Sequence, residues 1–238
     1  MKNWYNNSKF LNKWLLLTLA TLTLSCVATG NSNLVRQSSI SIEGGPNFGA
    51  FNHEKDRLDA VSGASTDVVT GATQWKYNTA VHSELIIKNH AIETGLEYYS
   101  FTHKLDYEDY ERDFIGSRDF KYHQLRVPLT YNFHLLPNAD GLARLKIKFG
   151  FSVGYTFSKS IEESGSLPDY KFNNWDLGSL FGFTIYPVTL MNNSRIGFYC
   201  DFYRGIKSPV YEDFYLRDKN VGNLTNARLG VTWQFYNF

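Results

Sequence analysis

The longest regular alternation in the chain runs from Arg144 to Ser158, RLKIKFGFSVGYTFS. Leu145, Ile147, Phe149, Phe151, Val153, Tyr155 and Phe157 fill the odd positions, while Arg144, Lys146, Lys148, Gly150, Ser152, Gly154, Thr156 and Ser158 fill the even ones. Period two marks a strand with one apolar and one polar face. At about fifteen residues it far exceeds the usual ~5–6 of a soluble strand, and about 9–11 tilted residues already cross a bilayer. The pattern predicts a membrane-spanning strand with Phe and Val toward lipid and Lys, Gly and Ser toward a lumen.

Seven further segments repeat the pattern. Ser38 to Ala50 points Ile40 and Ile42 outward and Glu43 inward, and its Gly44-Gly45-Pro46 predicts a bend or bulge. In Thr79 to Lys88, Val81, Leu85 and Ile87 oppose His82, Glu84 and Lys88. Ala91 to Thr102 sets Ile92, Thr94, Leu96 and Tyr98 against Glu93, Gly95, Glu97 and Tyr99. Phe120 to His134 puts Leu125, Val127, Leu129, Tyr131 and Phe133 outward and Gln124, Arg126, Thr130 and Asn132 inward, with Pro128 on the inward parity predicting a local bulge. Asn174 to Tyr186 turns Trp175, Leu177, Phe181, Phe183 and Ile185 outward. Arg195 to Arg204 sets Ile196, Phe198, Cys200 and Phe202 against Tyr199, Asp201 and Tyr203. Asn226 to Tyr236 sets Ala227, Leu229, Val231, Trp233 and Phe235 against Arg228, Gly230, Thr232 and Gln234.

The connections between these eight strands alternate in length. Residues 52–76, 103–119, 159–172 and 205–223 read as long loops, whereas Asn89-His90, Leu136 to Gly141 and Pro187 to Ser194 read as tight turns. Such sorting predicts an all-β, eight-stranded antiparallel up-and-down transmembrane β-barrel, long loops outside the cell and both termini periplasmic. The competing architecture is a soluble or lipid-anchored barrel of lipocalin type, which would turn the same aromatic face inward around an apolar ligand.

The N-terminus fits export. Lys2, Lys9 and Lys13 flank an apolar run, Trp14 to Leu24, too short to span as a helix. Residues 1–30 read as a secretory signal peptide cut after Gly30 or Ala28, leaving 31–238 as the barrel domain. Leu24-Ser25-Cys26 also fits a lipoprotein signal. Without Cys26 the mature chain retains only Cys200, so no intrachain disulfide forms, and no Cys/His spacing suggests a metal or other cofactor. Lys plus Arg number 24 and Asp plus Glu 23, a net charge of +1, which leaves no basic excess to hold nucleic acid. Mean hydropathy is slightly negative although 16% of residues are aromatic, as expected when hydrophobicity is confined to alternate positions.

GGPNFGAF after the first strand, YHQLRVPLTYNF, the paired Gly-aromatic strands and the final phenylalanine resemble the eight-stranded PorT-like outer-membrane barrels of Bacteroidota. The resemblance implies contact with outer-membrane lipid and lipopolysaccharide, and assembly by the outer-membrane insertion machinery, which recognises a last strand ending in an aromatic. Here Phe238 lies on the opposite parity from Trp233 and Phe235.

Candidate chemistry lies inside. The inward parity collects Glu43, Glu84, Glu93, Glu97, Asp176 and Asp201 with Lys88, Arg126, Arg144, Lys146, Lys148, Arg195 and Arg228. An eight-stranded barrel is just wide enough to be filled by side chains, so these charges should neutralise one another in a hydrogen-bonded structural network. A narrow pore or small-ligand transport path is the alternative. A lipid-hydrolysing site would need a nucleophile and base; Ser100 and His123 become cross-strand neighbours if the hairpin around 103–119 closes symmetrically. No orienting acid accompanies them, and the chain is expected not to be an enzyme. The charged, tyrosine-rich loops 103–119 and 205–223 suit contact with an envelope protein partner, a sugar or lipopolysaccharide-bridging cations.

Overall fold

The computed structural model describes residues 37–52, 67–87, 89–108, 114–137, 143–165, 167, 169–190, 194–207, 209–214, 217–220 and 223–237. Residues 1–30, read as a signal peptide and containing Cys26, lie outside them, as do Lys88 and Phe238. Twelve strands follow in order: β1 Gln37–Asn52, β2 Asp67–Thr73, β3 Lys76–Ile87, β4 His90–Glu108, β5 Phe114–Pro137, β6 Ala143–Gly165, β7 Tyr170–Phe172, β8 Trp175–Leu190, β9 Ser194–Gly205, β10 Val210–Phe214, β11 Arg217–Asn220 and β12 Asn223–Asn237.

Eight of them close a barrel. Antiparallel pairing runs β1-β3-β4-β5-β6-β8-β9-β12, and β12 returns to β1 from Ser38↔Asn237 to Asn52↔Asn223. Closure leaves no edge within the belt, the condition for a sheet in lipid. The wall is oriented as the alternation requires: Phe151 is 60% exposed and Phe198 59%, whereas Lys146 and Lys148 are fully buried. A soluble lipocalin-type barrel would show the inverse.

Local geometry departs from expectation at several points. The first strand passes Gly44-Gly45-Pro46 in register with β3, and Gly45 and Pro46 merely leave the ladder to β12. Pro128 makes no bulge either; it pairs with Ser152 in β6, and on its other side its carbonyl accepts a hydrogen bond from the Thr94 hydroxyl at 2.9 Å. The bulge lies instead between His123 and Gln124, which pair with Ser158 and Thr156 and leave Phe157 as the extra residue. A second irregularity falls at Tyr186-Pro187, so Pro187 belongs to a strand rather than to the turn.

Among the described residues, the four segments read as loops are largely strand. β4, β5 and β6 continue well past the belt, and β2 extends the line of β3 to pair with β4 from Asp67↔Glu108 to Thr73↔His103. In this upper wall the polarity inverts. Phe101, Leu105, Tyr107, Phe120 and Tyr122 are buried, while Lys104, Asp106, Lys121 and Glu162 lie on the outer face. The inversion marks where lipid ends and water begins, since an outward face needs apolar side chains only against hydrocarbon. An aromatic cluster sits at that level: the Tyr98 hydroxyl is 2.7 Å from His123 Nδ1, the two rings stack, and Phe157 packs beside both. At the turn end His90, Tyr131, Phe133 and Phe149 form its counterpart.

β7, β10 and β11 form a small separate sheet at the loop end. Val210 at the start of β10 is buried in the cluster of Phe101, Leu105, Tyr107, Phe120, Tyr122 and Leu224, and Asn173 N–H donates to the Pro209 carbonyl at 2.7 Å. That cluster closes the loop-end mouth with apolar side chains.

Candidate functional site

The inward residues from all eight barrel strands meet in three tiers. Nearest the turns, Glu84 from β3 accepts from Asn132 Nδ2 at 2.7 Å and Gln234 Nε2 at 2.9 Å, and lies 2.9 Å from His134 Nε2. Lys146 donates to Glu93 at 2.6 Å and approaches Glu84 at 3.9 Å. Arg195 donates to Gln234 at 3.1 and 2.9 Å and to the Ala143 carbonyl, its guanidinium 3.6 Å above the Tyr186 ring.

The middle tier is the most crowded. Arg228 Nη2 reaches Asp201 at 2.5 Å, Glu97 at 2.9 Å and Glu43 at 3.1 Å. Lys148 lies 2.8 Å from Asp201, and His82 presents Nε2 to Glu97 at 3.1 Å and Nδ1 to Glu43 at 3.5 Å. Asp201 leans across the wall over Gly182, its cross-strand partner, where any Cβ would meet its carboxylate. Glycine at 182 therefore makes room for an ion pair on the neighbouring strands.

Above these, Arg126 is held between rings, 3.6 Å from the centroid of Tyr203 and 4.6 Å from that of Tyr99. Its Nε donates to Gln124 at 2.7 Å and its Nη2 lies 3.3 Å from Asp176. The apolar mouth follows. Arg126→Lys keeps the charge but loses the flat stacked fork, and a desolvated cation–π contact is worth about 2 kcal/mol. The variant should show a urea midpoint lowered by a cost of about 1–2 kcal/mol in refolded protein, against no change for Lys104→Arg on the outer face.

Glu84, Glu93, Glu97, Arg126, Lys146, Lys148, Asp176 and Arg228 are thus all buried within one connected set. Arg144, on the same parity as Lys146, is exposed, because it stands at the turn end where the lumen opens to water. Three members that sequence reasoning left out of the charged set are His82, His134 and Arg118. Parity alone identifies the first two; Arg118, paired with Glu163 at 2.7 Å, fell in a segment read as loop. Among the described residues no group of His, Cys, Asp and Glu side chains has the arrangement to hold a metal ion.

Ser100 and His123 do pair in register, near the upper edge of the belt. His123 Nδ1, however, is engaged by Tyr98, and Ser100 is buried with its carbonyl accepting from Asn47 Nδ2 at 3.1 Å. On the upper wall, the hydrogen bond from Lys121 to Glu162 at 2.6 Å holds that ammonium above its ordinary pKa, and Asp106 at 3.0 Å does the same for Lys104. Both pairs are open to solvent and carry little stability.

A lipid-facing wall around an occluded, charge-filled lumen is the architecture of a small outer-membrane barrel, and the family model described as outer membrane protein beta-barrel domain matches residues 28–209. The chain belongs to that family. The matched span covers the wall through β9, and β12, which closes this outer-membrane barrel, lies beyond it. Three solved barrels resemble it. OprG from Pseudomonas aeruginosa has 12% identity over 86% of this chain and 99% of its own, TM-score 0.45. The outer membrane protein W of E. coli has 12% identity over 86% and 100%, TM-score 0.41. Ail, the attachment invasion locus protein of Yersinia pestis, has 14% identity over 84% and 98%, TM-score 0.38. No curated protein matches the sequence.

Proposed function

We propose that this outer-membrane barrel is a non-conducting, non-enzymatic anchor that presents a raised sheet outside the cell to an envelope or extracellular protein, which docks by adding a strand. The observation that carries the reading is the outer edge of β6. β6 stays paired with β5 as far as Gly116↔Gly165, but its ladder to β8 ends at Tyr155↔Trp175. From Phe157 to Gly165 the far edge has no ladder partner among the described residues, and Ser158, Ser160, Glu162 and Ser164 are exposed. A free strand edge is a template for main-chain hydrogen bonds with another chain.

In this reading the long connections face outward, the termini are periplasmic, and the protein sits among outer-membrane lipid and lipopolysaccharide after delivery to the insertion machinery. The buried network of Glu84, Glu93, Glu97, Arg126, Lys146, Lys148, Asp176 and Arg228 is structural, fixing strand register and filling the lumen. The motifs GGPNFGAF and YHQLRVPLTYNF support a narrower place among PorT-like barrels of Bacteroidota. A photo-crosslinking residue at Ser160 in intact cells should give a discrete adduct with a second protein, whereas one at lipid-facing Phe181 should not; equal outcomes at the two sites reject strand addition. In planar bilayers the purified protein should show no steady conductance, and a reproducible single-channel step would favour the pore reading instead.

A further inference from the structure

On the lipid-facing wall a groove of about 480 Å³ opens near the loop end, across β8, β9, β12 and β1. Two cross-strand rows build it. The lower row is Phe181↔Phe202↔Ala227↔Phe48, and the upper row is Ser179↔Arg204↔Thr225↔Ala50. Ala227 lies on the outward parity yet is only 8% exposed, because a methyl group stands between Phe202 and Phe48 and leaves a slot one side chain wide. Above the slot the wall changes from phenylalanine to hydroxyls and the exposed guanidinium of Arg204.

We propose that this groove holds one phosphorylated lipid A molecule of the surrounding leaflet, an acyl chain lying in the slot over Ala227 and a phosphate on Arg204. The two ends of the groove match the two ends of such a lipid. Phe48, Phe181 and Phe202 offer apolar walls to a chain, and filling a dry slot in a bilayer-facing surface is favoured by dispersion contacts that a disordered bulk lipid makes less well. At the height where the chain must end, a guanidinium fork fits phosphate oxygens in bidentate geometry, with Ser179 and Thr225 hydroxyls in the same row. The choice of lipid A over a phospholipid rests on the outward orientation proposed above.

Native mass spectrometry of the full protein, extracted from outer membranes in mild detergent, tests the assignment. The wild type should carry one lipid A mass. Arg204→Ala should lower the retained fraction about tenfold, the weight of one charge-assisted contact. Ala227→Phe, which fills the slot with a side chain compatible with lipid, should abolish retention, while Arg144→Ala at the opposite end should leave it unchanged. Heat-modifiable mobility on gels verifies that each variant is folded, and titrating purified lipid A into refolded protein repeats the comparison without the extraction step. Equal retention in all variants, or none in the wild type in both formats, overturns the site. Retention of a phospholipid with the same dependence on Arg204 overturns lipid A as the ligand and reverses the orientation. Failure of strand addition alone would leave this pattern unaltered, because Ser160 lies on a different part of the wall.

Discussion

Replacing Arg228 by methionine should destabilise the barrel by about 3–5 kcal/mol, the cost typical of removing one partner from a buried ion cluster. The size follows from what is left behind. Among the described residues Arg228 is the one side chain that touches Asp201, Glu97 and Glu43 together, at 2.5, 2.9 and 3.1 Å, and all four groups are essentially sealed from water. Without it, Lys148 and His82 must serve the three carboxylates alone in a confined space of low dielectric, where like charges repel strongly and cannot be hydrated. The refolded variant should unfold at a markedly lower urea concentration, and in cells it should accumulate poorly. Arg228→Lys should be intermediate, since a single ammonium keeps the charge without the reach to three partners. Adding Asp201→Asn to Arg228→Met should recover part of the loss, because the pair then leaves less uncompensated charge. Arg144→Met, on the same inward parity but solvent-exposed, should stay within about 0.5 kcal/mol of wild type. If Arg228→Met and Arg144→Met unfold alike, the central cluster is not a structural element.

The belt was legible in the sequence because lipid demands one face of every strand be apolar for its full width, and that demand writes an unbroken period of two. The eight segments, their facing and the in-register pairing of Ser100 with His123 all follow from it. The upper wall was not legible, for the same reason turned around. Past Tyr99 the apolar residues move to the inner face, so Leu105 and Tyr107 appear amid Lys104, Asp106 and Glu108 as a charged loop. Depth along the axis is also absent from parity: Lys146 and Arg144 are two residues apart on one face, one fully buried and the other in water. Partnership is harder still. Glu43 and Arg228 meet only because the first and last strands close the ring, which no local pattern records. Ser100 and His123 show a further limit, since register brought them together and the neighbouring Tyr98 then took the histidine.

Deleting a single residue from β6 should give opposite outcomes depending on where it is taken. Below the bulge, odd-numbered residues of β6 face lipid; above it Ser160, Glu162 and Ser164 face outward, while Ile161 packs on the inner cluster and Glu163 turns to Arg118. Two outward residues in succession, Phe157 and Ser158, opposing the single His123, make that exchange. Removing Phe157 leaves Thr156 opposite Gln124 and Ser158 opposite His123, a continuous ladder with both halves still facing correctly. The cost is confined to the aromatic contacts of Phe157 with Tyr98 and His123, about 1–3 kcal/mol at about 0.5–1.5 kcal/mol for each aromatic pair. Removing Val153 instead shifts one half of the strand by a residue. A one-residue slip exchanges the two faces, sending Lys146 and Lys148 to lipid or Phe157 and Tyr155 into the lumen. A lysine facing lipid at mid-bilayer costs about 2–4 kcal/mol, so two of them remove about 4–8 kcal/mol, much of the ~5–15 kcal/mol that holds an ordinary domain folded. The Phe157 deletion should therefore reach the outer membrane and keep the heat-modifiable mobility of a folded barrel, while the Val153 deletion should be degraded in the periplasm. Loss of both proteins to the same extent would show that the bulge at Phe157 has a role beyond re-aiming the strand.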